Sequence, residues 1–179
     1  GDARDASCDV EIDSAGSNSE VVSPNGKTAL MHWAASGDLS RVKALLDQGA
    51  DVDAVDEDGD GVLRYAMGRR HAVIFDLLLQ RGADPNSMST SASGRAGFSI
   101  LHAVVEMGWY DGAQALLHHG ADVNARGRDG ITPMMLAAGA GHDSCVTLLH
   151  KAGAEVDALD ADGDSALFYA ASQGRRTSV

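Results

Sequence analysis

Apolar residues in this chain come as pairs of short helical runs, each pair closed by glycine. In "RVKALLDQGA" the apolar residues Val42, Leu45 and Leu46 fall on one face at helical spacing, and Val146, Leu148 and Leu149 do the same in "CVTLLHKAGA". Shorter apolar runs lie ahead of such stretches: "TALMHWAASG", "SILHAVVEMG", "TPMMLAAGAG" and "SALFYAASQG". Polar excursions rich in Asp and Gly lie behind them. The pattern predicts a unit of short helix, tight turn, second helix and extended excursion. Gly49, Gly82, Gly120 and Gly153 each follow a second helix, where a left-handed cap is wanted.

The unit repeats. "LLDQGADVDA", "LLQRGADPNS", "LLHHGADVNA" and "LLHKAGAEVDA" align with glycines spaced by 33, 38 and 33 residues. A second register, Gly26, Gly59, Gly97, Gly130 and Gly163, steps by 33, 38, 33 and 33. One unit cannot bury its apolar face alone, but stacked units share a continuous core. A period of 33 with these words resembles the ankyrin repeat. Its "T-P-L-H-x-A-A" element is closest at Thr132 and Pro133 and at Leu101, His102 and Ala103. The resemblance implies an α-rich repeat solenoid, an array of helix-turn-helix units joined by β-hairpin-like loops. Repeats fall at about 23–55, 56–88, 94–126 and 127–159, with a partial fifth at 160–179. Residues 1–22 form an acidic tail, expected to be extended or disordered alone.

"DVDAVDEDGDG", residues 51–61, opens as a calcium loop does, with Asp56, Asp58 and Asp60 alternating before Gly61. The same triplet recurs as Asp160, Asp162 and Asp164, at the same place in the repeat. The twelfth position, which should carry a bidentate Glu, holds Met67 or Ala171. A solvated acidic hairpin tip is the preferred reading, with a calcium-responsive module as the outside alternative.

Four departures from the repeat mark candidate sites. The spacing of 38 hides an insertion around 87–97, "SMSTSASGRAG", expected as an exposed loop or a partner-contacting finger. In the second repeat Arg70 stands where Gly37, Gly108, Gly141 and Gly174 stand elsewhere; Gly68 is expected to take over that role, and Arg69 and Arg70 to face or pair with Asp58 or Asp60. In the third, Trp109 and Tyr110 occupy the turn, one ring expected in the core and the other as a contact. Trp33 is expected to cover the first end of the stack. The fifth repeat leaves Leu167, Phe168 and Tyr169 without a full lid, and "RRTSV" resembles a basophilic kinase site at Ser178 and a PDZ ligand at Val179. The resemblance also makes Asn86 and Asn124 candidate substrates for asparaginyl hydroxylation, while His102 resembles the family's structural histidine.

Composition narrows the function. The 179 residues carry a net charge of -12, the wrong sign for binding nucleic acid or anionic membrane. Aromatic residues make up only 4%, so the core is expected to be Ala, Leu and Val. Cys8 and Cys145 form no disulfide framework, and no apolar run reaches the roughly 18 residues of a membrane span. An intracellular, by default cytoplasmic, location is expected, or an organelle if a targeting segment ahead of Gly1 has been removed. No histidine or cysteine spacing fits zinc, no phosphate loop follows a strand and no nucleophile has a base, so neither a cofactor nor catalysis is expected. The expected function is a protein–protein interaction module, with a fixed subunit of a large assembly as the alternative. By the resemblance, partners with a basic patch meet the hairpin tips and the inner face of the first helices. Glu57, Asp58, Asp60, Arg69, Arg95, Phe98, Glu106, Met107, Arg128, Asp129, Ile131, Asp162 and Asp164 are placed on that surface, with Trp109 and Tyr110 at the turn beside it.

Overall fold

The computed structural model describes residues 23–89 and 97–174. Its helices come in pairs: α1 (Ala29–Ser36) with α2 (Leu39–Asp47), α3 (Val62–Met67) with α4 (Ala72–Gln80), α5 (Ile100–Glu106) with α6 (Tyr110–His118), and α7 (Pro133–Ala140) with α8 (Asp143–Lys151). α9 (Ala166–Ser172) opens a fifth unit. First helices stack on first helices, α1 on α3, α5 on α7 and α7 on α9. Second helices form a parallel layer, α2 to α4 to α6 to α8. The packing of α3 on α5 is slighter than that of the other first-helix pairs.

Capping residues set where the first helices begin. Thr28 Oγ1 accepts from Met31 N at 3.3 Å, Thr132 Oγ1 from Met135 N at 3.4 Å and Ser165 Oγ from Phe168 N at 3.4 Å. Each satisfies one amide that the first turn leaves unpaired. In α7 Pro133 at the first helical position costs no hydrogen bond. Alanines on these helices, among them Ala34, Ala138 and Ala170, are fully or almost fully buried, so the backbones can approach closely. Larger side chains fill the space towards the second layer, with Phe75, Leu78, Leu116 and Leu149 all inaccessible.

The turn between paired helices locks each repeat to its neighbour. Gly37 adopts φ +83°, and a Cβ there would lie 2.5 Å from the His71 ring of the next repeat. That ring bonds through Nε2 to Ala35 O at 3.2 Å. His142 repeats the device, with Nε2 3.0 Å from Glu106 O. In the second repeat the expected substitute fails. Gly68 is right-handed (φ -55°), and Arg70 itself takes the left-handed conformation at φ 55°. The reason is register: the left-handed residue must sit just before the second helix, and Gly68 comes too early.

Extended excursions make the fingers, with isolated antiparallel bridges at Val55–Gly61 and Met88–Ser99. Glu57 N donates to Asn25 O at 3.3 Å and Ala161 N to Asp129 O at 2.7 Å, tying fingertips of successive repeats. Trp33 is half-buried at the first repeat, with the Arg41 guanidinium 4.0 Å over its ring. Leu167 and Phe168 are 56% and 54% exposed, whereas Tyr169 is half-buried. The acidic tail, most of the insertion, Arg95 and Ser178 lie outside the described residues.

Candidate functional site

The acidic stretches are built as turns. Asp56 is 7% exposed. Its Oδ1 accepts from Asp58 N and Asp60 N, each at 2.9 Å, and its Oδ2 accepts from the Tyr65 hydroxyl. Asp160 does the same with Asp162 N (3.0 Å), Asp164 N (2.9 Å) and the Tyr169 hydroxyl (2.7 Å). The first carboxylate of each triplet is thus a brace for the finger, with an O–H donor where an ion would need a bare oxygen. Among the described residues no three His, Cys, Asp or Glu side chains converge in a way that could hold a metal ion. The tyrosine bond and the surrounding amides hold Asp160 below the usual carboxylate range. Burial, and then the hydrogen bond to aspartate, pushes both phenols above their ordinary value. Asp164 is raised, by desolvation first and then by Asp160 and Asp162.

What the brace presents is a set of exposed carboxylates. Glu57, Asp58 and Asp162 are exposed at the tips. Asp60 is half-buried and pairs with Arg64 at 2.6 Å, so it meets neither arginine of the turn. Arg69 is exposed, while Arg70 reaches across to donate to the Met107 carbonyl of the next repeat. Arg128 and Asp129 are exposed and 3.6 Å apart. Asp129 adopts φ 57°.

The apolar candidates lie deeper. Phe98 is half-buried, its ring edge-on to His102 at 5.2 Å. Glu106, Met107 and Ile131 are half-buried too. His102 is fully buried: Nδ1 accepts from Ser99 N at 3.2 Å and Nε2 donates to Ile131 O at 3.0 Å. Burial holds this imidazole below the usual histidine range, against the opposing pull of the Ile131 carbonyl, Asp122 and Glu106.

Trp109 leaves the candidate surface. It is 5% exposed and packs edge-on against Phe75 at 4.9 Å. Its ring lies over Gly112, where a Cβ would come within 2.5 Å. Tyr110 is the exposed ring of the pair, at 39%, and it starts α6 in the second-helix layer, away from the fingers.

Asparagines at the base of the fingers form a ladder that sequence reasoning missed. Asn86 Nδ2 donates to Gly120 O (3.3 Å) and its Oδ1 accepts from Asp122 N (2.8 Å). Asn124 repeats this with Gly153 O (3.3 Å) and Glu155 N (2.8 Å). The matching Asp53 accepts from Asp84 N at 3.4 Å and has no N–H to offer Gly82 O. The signal was the presence of Asn86 and Asn124 where Asp53 and Asp157 stand in the flanking repeats, because only Asn both donates and accepts.

A stack of paired helices with braced fingers defines a repeat protein. The family described as ankyrin repeats (3 copies) matches residues 8–89 and 100–179, and the chain belongs to it. It is 30% identical over 73% of its length to the E3 ubiquitin-protein ligase KEG of Arabidopsis thaliana, covering 8% of that protein. It is 34% identical over 75% of its length to the B-cell lymphoma 3 protein homolog of Mus musculus, covering 30%. With an ankyrin repeat, SAM and basic leucine zipper domain-containing protein of Dasypus novemcinctus it shares 34% over 64%, covering 24%. The chain therefore spans less than a third of the length of these curated relatives. Ankyrin repeats generally mediate protein–protein interaction and are typically non-enzymatic. Among the described residues no helix is long and apolar enough to cross a membrane.

Proposed function

We propose that this array is a non-catalytic binding module that recognises a protein partner carrying a basic patch through its fingertips and the inner face of its first helices. The observation that carries the reading is the pair of braced fingers. Asp56 and Asp160 hold the turns while Glu57, Asp58 and Asp162 stand in solvent. Charges fixed in this way speed encounter with an oppositely charged partner. Phe98, Met107 and Ile131, partly exposed beside the fingers, supply apolar anchors.

The test is the association rate with the partner captured from source cells. Replacing Glu57, Asp58 and Asp162 by Gln, Asn and Asn is expected to slow association about tenfold at low salt and to flatten its salt dependence. An unchanged on-rate would sink the steering argument.

One observation favours a second reading, a fixed subunit bracing a larger assembly. Leu167 and Phe168 are adjacent and more than half exposed on α9, where a subunit of a larger assembly would pack against them. Size-exclusion of the endogenous protein separates the two readings. Elution at the mass of the endogenous polypeptide alone means a free module, and elution only in a large, salt-resistant particle means a subunit.

A further inference from the structure

Between the second finger and the chain entering the third lies a groove of about 530 Å³. Val52, Val55 and Met88 give it apolar walls, with Val55 and Met88 59% and 45% exposed. Asp53 and Asp84 lie along it. Among the described residues the only cation lining it is Arg64, already paired with Asp60. Ser89 completes the site. It is 5% exposed, yet among the described residues its hydroxyl has no hydrogen-bond partner. The Ser89 backbone is fully used, its N–H donating to Phe98 O at 2.9 Å and its carbonyl accepting from Gly97 N at 2.8 Å. A buried hydroxyl without a partner among the described residues is costly, and this one lies under the edge of an open apolar groove.

We propose that this groove takes a short extended stretch of a partner protein in which an apolar residue neighbours an arginine or lysine. The apolar side chain lies on Val55 and Met88. The basic side chain reaches the exposed carboxylates of Asp53 and Asp84. The volume suits such a stretch, since ligand sites commonly run from about 300 to 1,000 Å³. The proposal rests on the interaction-module reading and adds to it a subsite and a ligand chemistry.

The experiment is a titration of the isotope-labelled 179-residue chain with acetyl-Leu-Arg-Leu-Arg-amide, followed by NMR. Shifts centred on Val55, Met88 and Ser89 are expected. The pair Asp53→Asn and Asp84→Asn should weaken binding about fivefold, as loss of two unscreened charges would. Equal shifts with acetyl-Leu-Glu-Leu-Glu-amide would overturn the charge assignment. Shifts confined to Asp58, Asp162 and the inner helices would overturn the groove while leaving the broader module reading intact. Silence at millimolar peptide would overturn the groove as well. If the same residues shift with protein concentration alone, the occupant is a second copy of the chain and the peptide reading fails.

Discussion

A single atom separates Asp53 from the asparagines that follow it in the ladder. Asn86 and Asn124 each donate one hydrogen bond and accept another across a repeat junction. Asp53 only accepts, over a longer 3.4 Å. Asp53→Asn should therefore restore a donor to Gly82 O and stabilise the array by about 1 kcal/mol, read as a higher urea midpoint; no gain would mean that the junction is already satisfied. His102 carries the opposite lesson. Its folded value lies below the unfolded one of ~6.5. Between the two the unfolded chain binds the extra proton, so this residue's contribution is complete above about pH 6.5 and is lost as pH falls through the folded value. His102→Ala should cost about 3 kcal/mol at neutral pH, for the cavity and the orphaned Ile131 carbonyl. It should also flatten the acid limb of the stability profile below that pH.

At the scale of an element, the turn between paired helices shows what residue identity can and cannot announce. Where Gly37 sits, both the positive φ and the His71 ring exclude a side chain. Gly37→Ala should cost about 2 kcal/mol or more. Arg70 already bears the left-handed strain, roughly 1 kcal/mol, and offsets it with a bond to the Met107 carbonyl. Arg70→Gly should then change stability by less than about 1 kcal/mol, and denaturation of the two variants side by side would show the asymmetry. Finger bracing can be tested in the same way. Tyr169→Phe removes the donor that most lowers Asp160, so the Asp160 carboxyl should titrate closer to the ordinary range by NMR. Helix pairs, caps and repeat register were legible in the sequence because each rests on local spacing. The Asp–Tyr braces were not, since they join positions nine residues apart that no helical or strand period relates. Nor was the fate of Trp109, because a turn residue enters the core or stays out according to what the neighbouring repeat places beside it.

At the scale of the molecule, an array of this kind is held by its interfaces in series, and the interface between the second and third repeats is unlike the others. α3 and α5 pack slightly, and the insertion lengthens the loop between them. The two halves are joined instead through the second-helix layer, where Phe75 of α4 meets Trp109 just ahead of α6, through the Arg70 bond to Met107, and through the Asn86 bonds to Gly120 O and Asp122 N. Stability in a repeat array is a sum of unit and interface contributions, and cooperativity survives only while each interface outweighs the instability of the units it joins. Trp109 is therefore the residue on which the unity of the fold depends, even though it stands in a turn. Trp109→Ala should remove about 4 kcal/mol, mostly from this one junction. The distinctive expectation is the shape of the transition. Wild-type protein should unfold in one step, and the variant in two, with α1–α4 and α5–α9 losing amide protection at separate denaturant concentrations. A single, merely earlier transition followed by hydrogen exchange at all nine α-helices of the described residues would place the coupling of the halves elsewhere, in the thin α3–α5 contact, the Asn86 bonds or the fingers.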